Sequence, residues 1–297
     1  MRLSLLVLLA LVLPAGIVEL EAQQELSLLA SIVDPATGAA PESIDPAGVR
    51  VTEDGEAGTV VRIEPINRVV KVQLLIDNGS GIGTENLGLL RRGLRGLIEA
   101  LPPGMEATLV TTAPQPRTVV RPTTDREALL RAADQLPPDS GPGRFVEAIS
   151  EAAQRAERER DEAFTVIIVA AATAGDLNVR ESDIRRLFER VQGHPVMVHV
   201  LLYAGRISRS ASGGEVQTDV GLALTEMTQG RFETINTMTR HAELMAEMGA
   251  DVARQAAGQS RQFRIVARRP DGKSGDLGGL SMSVAGREVQ SVTLEPR

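Results

Sequence analysis

Val69-Val-Lys-Val-Gln-Leu-Leu-Ile76, running on into Asp77-Asn-Gly-Ser-Gly-Ile-Gly-Thr84, is the stretch that decides the fold. Its first eight residues are nearly continuous in apolar and β-branched side chains, with little polar alternation. A strand covered on both faces reads this way, and such strands belong to parallel sheets flanked by helices. After the glycine-rich turn, Thr84 is suited to cap a helix. In that helix Leu87, Leu90, Leu94, Leu97, Ile98 and Leu101 share one face, with Arg91, Arg92, Arg95 and Glu99 opposite. Pro102-Pro103-Gly104 ends it.

The same alternation continues downstream. Met105 to Thr112 reads as a strand with Arg117 to Arg121 as its hairpin partner, and Thr124-Asp-Arg-Glu127 is a capping-box pattern opening another helix. A helix over Phe145 to Arg160 buries Phe145, Ala148, Ile149, Ala152, Ala153 and Ala156. Phe164 to Ala170 and Val196 to Tyr203 are two further buried strands, with a helix near Ser182 to Val191 between them. A Ser/Gly-rich loop, Ala204 to Gln217, leads to a helix stopped by Gly230, a short edge strand at Arg231-Phe-Glu233, and a last helix from about Met238 to Ala257. Strands alternating with amphipathic helices predict an α/β fold with a doubly wound, mostly parallel sheet.

On either side the pattern is β only. Leu26 to Val33, Val49 to Thr52 and Thr59 to Ile63 precede it; Arg261 to Arg268, Leu280 to Val284 and Val289 to Leu294 follow. The expected organisation is a signal peptide over 1–22, an N-terminal β segment over 23–68, the α/β domain over 69–257, and a C-terminal segment over 258–297. The two end segments are expected to form one small antiparallel unit.

Bulk properties narrow the function. The chain has 297 residues, a net charge of -7, and neither Cys nor Trp. An acidic chain lacks the basic face that nucleic-acid binding needs, so no nucleic-acid partner is expected. Absence of Cys excludes disulfides, thiol nucleophiles and thiolate metal sites. At the N-terminus, Arg2 followed by the apolar run Leu3 to Leu13, broken by Pro14 and Gly16, has the pattern of a secretory signal, with a small residue at Ala22. The run is shorter than the ~20 residues a spanning helix needs, so cleavage and export to a periplasmic or extracellular location are expected, an uncleaved anchor being the alternative.

The turn after Ile76 has two readings. As a phosphate loop it has Gly79, Gly81 and Gly83 at G-x-G-x-G spacing, not G-x-G-x-x-G, and Asp77 repels a phosphate. That reading is the basis of the alternative function, an exported enzyme or nucleotide-binding protein using the Gly79 to Gly83 loop. The other reading takes in more of the chain. The order of elements, with the phrases Val49-Arg-Val-Thr-Glu-Asp-Gly55, Thr123-Thr-Asp-Arg-Glu-Ala-Leu-Leu130, Gly230-Arg-Phe-Glu233 and Arg264-Ile-Val-Ala-Arg-Arg-Pro-Asp-Gly272, resembles the von Willebrand factor type A (VWFA)-related exported bacterial proteins.

The resemblance implies a divalent cation held by an Asp, two Ser, a later Thr and a third-loop Asp. Here Asp77 stands at the first position, but Gly79 and Gly81 replace both Ser. Pro142-Gly143-Arg144 falls at the Thr, and Ala170-Ala-Ala-Thr173 lacks the last carboxylate. No bound metal and no cofactor are therefore expected, with Asp77 and Ser80 as vestigial candidates and Arg144 a candidate to pair with Asp77 in the cation's place. The partner-contact candidates at the strand ends are Asp77, Asn78, Ser80, Arg144, Asp176, Arg206 and Arg209.

No catalytic set emerges. His194, His199 and His241 lack ligand spacing to an acidic partner, and Asn78-Gly-Ser-Gly-Ile82 only partly echoes a nucleophile elbow. Arg155 to Glu162 reads as a solvated helix face, and Met238, Met245 and Met248 as core filler. The expected function is non-catalytic: an extracytoplasmic protein-interaction or scaffold module, metal-independent, with an unspecified protein partner.

Overall fold

The computed structural model describes residues 25–173, 179–205, 214–273 and 275–295. In chain order the elements are β1 (Glu25–Val33), β2 (Val49–Glu53), β3 (Glu56–Ala57), β4 (Thr59–Asn67), β5 (Val69–Ile76) and α1 (Leu87–Ala100), then β6 (Glu106–Thr111), β7 (Arg117–Thr123), α2 (Arg126–Asp134), α3 (Phe145–Arg158), β8 (Ala163–Ala172) and α4 (Glu181–Val191). There follow β9 (Val196–Tyr203), α5 (Gly214–Thr228), β10 (Phe232–Ile235), α6 (His241–Ser260), β11 (Arg261–Arg268), β12 (Leu280–Val284) and β13 (Glu288–Leu294). The signal-peptide segment lies outside the described residues.

A six-stranded sheet in the order β10-β9-β8-β5-β6-β7 forms the centre, parallel except for β7, which returns antiparallel on β6. The continuous apolar run of β5 is explained by its place between β8 and β6. Leu74 and Ile76 face a core with Leu90, Leu94, Leu97, Met245 and Met248; Leu75 faces another with Phe145, Ile149, Leu187 and Leu224. Helices α1, α2 and α6 thus cover one face and α3, α4 and α5 the other, as a doubly wound sheet requires.

α1 and α6 cross closely because small residues line the contact. A Cβ on Gly93 would come within 2.2 Å of His241 Nδ1, and one on Gly249 within 2.7 Å of the Leu97 carbonyl oxygen. Met238, Met245 and Met248 are all buried in this core.

Several local expectations move. Thr84 does not cap α1: a 3-10 turn over Thr84–Asn86 comes first, entered through Gly83 at φ +79, and α1 starts at Leu87. Asp125, not Thr124, caps α2 by accepting from the Ala128 N–H at 3.0 Å. α5 begins at Gly214, so helix takes the last part of the expected Ala204 to Gln217 loop. Arg155 is not simply solvated, since its Nε donates to buried Gln73 on β5 at 2.8 Å.

The end segments form the expected antiparallel unit, made of two sheets: a four-stranded sheet β13-β1-β11-β4 and a three-stranded sheet β12-β2-β3. They share a core containing Leu28, Ile32, Val51, Phe263 and Ile265. The physical reason is that β1 is apolar on both faces. Leu28, Ala30 and Ile32 need the second sheet, while Val33 packs toward Gly258 on α6.

A buried ion pair closes the smaller sheet. Arg269 grips Glu53 in a fork, at 2.8 Å from Nε and 2.5 Å from Nη2, and its other donors reach the carbonyls of Gly275 and Asp276. The Arg269 hydrogen bonds hold the Glu53 carboxyl below its usual range despite desolvation.

Candidate functional site

The crossovers leaving β5 and entering β8 place α1 and α3 on opposite faces, so the chain reverses its direction of winding at β5. Crevices at the carboxyl ends of strands form at such switch points. Asp77 is the first residue beyond β5, and its N–H still donates to the Ala170 carbonyl on β8 at 2.8 Å.

The Asp77 side chain is fully buried. Oδ1 accepts from the Gly79 N–H at 2.8 Å, and Oδ2 from the Ala172 N–H at 3.1 Å. The backbone of Gly143 is pressed against this carboxylate: a Cβ there would lie 2.6 Å from Cγ and from Oδ2. Gly79 is equally enclosed, since a Cβ would meet the Gly141 carbonyl oxygen at 2.5 Å.

Three loops interlock over the site. The Ser80 N–H donates to the Gly141 carbonyl at 2.9 Å, the Asp139 N–H to the Asn78 carbonyl at 2.7 Å, and the Arg144 N–H to the Thr112 carbonyl at 3.1 Å. Asn78 Nδ2 donates to the Pro137 carbonyl at 2.8 Å. Two buried neutral oxygens here, Asn78 Oδ1 and Thr112 Oγ1, have no hydrogen-bond partner.

The site residues expected from sequence separate into three groups. Asp77 and Asn78 come together with Gly79 and Gly143, but both are buried, which corrects their assignment as partner contacts: their side chains brace the loops from inside. Ser80 is exposed. The Arg144 backbone N–H donates to Thr112, and its Nε donates to the Pro114 carbonyl at 3.2 Å. There it borders a cavity of about 340 Å³ lined also by Val146, Glu147, Val179, Arg186 and Arg190. Asp176, Arg206 and Arg209 lie outside the described residues.

Among the described residues, no group of three or more His, Cys, Asp or Glu side chains is placed to hold a metal ion, and no helix is long and apolar enough to cross a membrane. Sequence reading did not find Thr112 and Ala113 as parts of the site. Their signal was the position of β6 beside β5, which is a property of strand order and not of any local motif.

Comparison with known proteins agrees with this architecture. Residues 72–172 match the family model of the von Willebrand factor type A domain. The chain resembles the solved structure of a von Willebrand factor type A protein from Catenulispora acidiphila, with TM-score 0.53 and 12% identity over 83% of this chain and 72% of that one. Weaker likenesses are to the SpRpn10 VWA domain, with TM-score 0.45, 16% identity, 61% of this chain and 93% of that one, and to the conserved hypothetical protein BatB from Bacteroides thetaiotaomicron, with TM-score 0.45, 14% identity, 62% and 98%. No curated protein matches the chain by sequence. The central α/β unit is thus VWFA-like, carried beside a β unit made from the two ends of the chain.

Proposed function

We propose that this protein is an exported interaction or scaffold module that recognises a partner protein through the carboxyl-edge loops, without a divalent cation and without catalysis. One observation carries the reading. Both oxygens of Asp77 accept from the protein's own backbone, and Gly143 closes over the carboxylate.

A hard divalent cation takes about six oxygen ligands, several of them charged. The ligand positions implied by the family resemblance hold Gly79, Gly81 and Gly143, none with a side-chain oxygen, and the run Ala170 to Thr173, which has no carboxylate. The unpartnered oxygens of Asn78 and Thr112 add no charge. These residues do not fit the cation, so the site is a degenerate one. Recognition falls instead to Ser80, Arg144 and the mixed apolar and charged cavity beside it, with Asp176, Arg206 and Arg209 as further expected contacts.

The nucleotide-binding or enzymatic alternative is the weaker reading. A phosphate loop offers free N–H groups at a helix N-terminus. Here the N–H groups of Gly79, Ser80 and Ile82 are engaged by Asp77, Gly141 and Gly79 in turn, and Glu85 lies against Gly83.

The deciding experiment is capture of a partner from an envelope fraction, run in parallel with magnesium and with EDTA. A discrete partner, retained in EDTA and lost with Arg144→Glu, is the expected result. Retention that requires magnesium would overturn metal independence. Stabilisation of the free protein by ATP, with no protein captured, would favour the alternative.

A further inference from the structure

A second cavity, of about 430 Å³, opens at the opposite edge of the central sheet, where the amino ends of its strands meet the β unit. Arg68, which joins β4 to β5, Arg160, from the turn before β8, and Arg264, on β11, all line it. Ser27, His194 and two carboxylates, Asp161 and Glu295, are the other polar residues of the wall. The concentration of guanidinium groups stands out in a chain whose net charge is -7.

The three arginines are not equivalent. Arg264 is neutralised by a two-pronged pair with Glu295, at 2.7 and 2.8 Å, and Ser27 also donates to that carboxylate. Arg68 is only 9% exposed, yet no carboxylate lies within ion-pair distance of it among the described residues. Its Nε donates to the Arg160 carbonyl at 2.9 Å and one Nη to Gln262 Oε1 at 3.1 Å, both neutral acceptors. The other Nη has no acceptor among the described residues, and Arg68 lines the cavity. Glu295 and Asp161 act on Arg68 only at longer range, and burial lowers its pKa.

A largely buried guanidinium without a counter-charge is costly, and proteins keep such groups where an anion completes them. Arginine's planar fork matches the oxygens of carboxylate and phosphate alike. The exposed Arg160 side chain, in no ion pair among the described residues, supplies a second cation at the same space, next to Asp161.

We propose that this seam is a binding site for a small, multiply charged oxyanion, carboxylate- or phosphate-bearing, held between Arg68 and Arg160. Such a ligand sits at the sheet's amino edge, where Arg68 joins the β unit to β5. It is remote from the Asp77 edge and does not depend on the reading of that edge.

The test is isothermal titration calorimetry of the whole protein with citrate and, separately, with pyrophosphate. Saturable 1:1 binding of at least one is expected, and the stronger of the two names the source chemistry. Arg160→Gln, an exposed substitution that leaves the fold intact, is expected to weaken binding at least tenfold, and Arg68→Gln at least as much. Should Arg68→Gln fail to fold, the Arg160→Gln titration decides alone. No saturable binding of either anion, or equal binding by Arg160→Gln, would overturn the proposal.

Discussion

Gly143 packs directly against Asp77, so that any side chain at 143 would meet the carboxylate within 2.6 Å. Two loops far apart in sequence thereby share one closed contact at the crest of the sheet. The contact leaves no space for a threonine at position 143. Gly143→Thr is expected to lower stability by about 1–3 kcal/mol, as overpacking of a closed core does. Urea denaturation measures it. A stable Gly143→Thr protein whose melting temperature rises with magnesium would show that the crest still has room for an ion.

Two buried histidines make stability depend on pH in a definite direction. His199 and His241 are each depressed by burial from 6.5 to about 4. Between those values the unfolded chain binds protons that the folded chain refuses. Stability therefore falls as pH drops from about 7, and the loss is complete near pH 4. At pH 5 each histidine accounts for roughly 2 kcal/mol. His241 has neither ring nitrogen partnered and packs against Gly93, whereas His199 Nδ1 accepts from the Arg231 N–H. The expected outcome is that His241→Gln flattens the urea midpoint between pH 7 and pH 5. An unchanged slope would refute the assignment.

The pair Glu53 and Arg269 is buried at both ends, unlike the exposed pair Glu181 and Arg185. Removing one partner leaves a buried charge without its counter-charge, which is severe, whereas exposed pairs contribute little. Arg269→Met should lower the melting temperature by much more than Arg185→Met. Joint replacement of Glu53 and Arg269 by apolar residues should recover part of the loss. Equal melting temperatures for Arg269→Met and Arg185→Met would count against the clamp.

Two glycines, Gly230 in the connection from α5 to β10 and Gly88 on α1, should respond with opposite signs. A Cβ on Gly230 would fall 1.8 Å from the Val198 carbonyl oxygen, so Gly230→Ala must push β9 away from the chain entering β10. Gly88 on α1 has open space around it, and Gly88→Ala is expected to stabilise by about 0.5 kcal/mol. Thermal melts of both variants check the contrast, and a neutral Gly230→Ala would mean that the strand edge yields freely.

How much of this was legible before folding is clear from particular residues. The run Val69 to Ile76 announced a strand buried on both faces because a central parallel strand has no solvent face to mark with polar residues. The leucines of α1 announced their face because helical period maps directly onto burial. By contrast, loop order did not reveal that the Arg144 backbone is tied to Thr112 and its Nε to Pro114.

Sequence alone thus determined the periodicities and the doubly wound class, because each follows from local chemistry. Only the tertiary structure decided that the chain ends make two sheets, that Asn78 is buried, that Glu53 meets Arg269, and that Arg68 and Arg160 line one cavity. Those are meetings of residues distant in the chain, set by strand order and close packing, which no local pattern encodes.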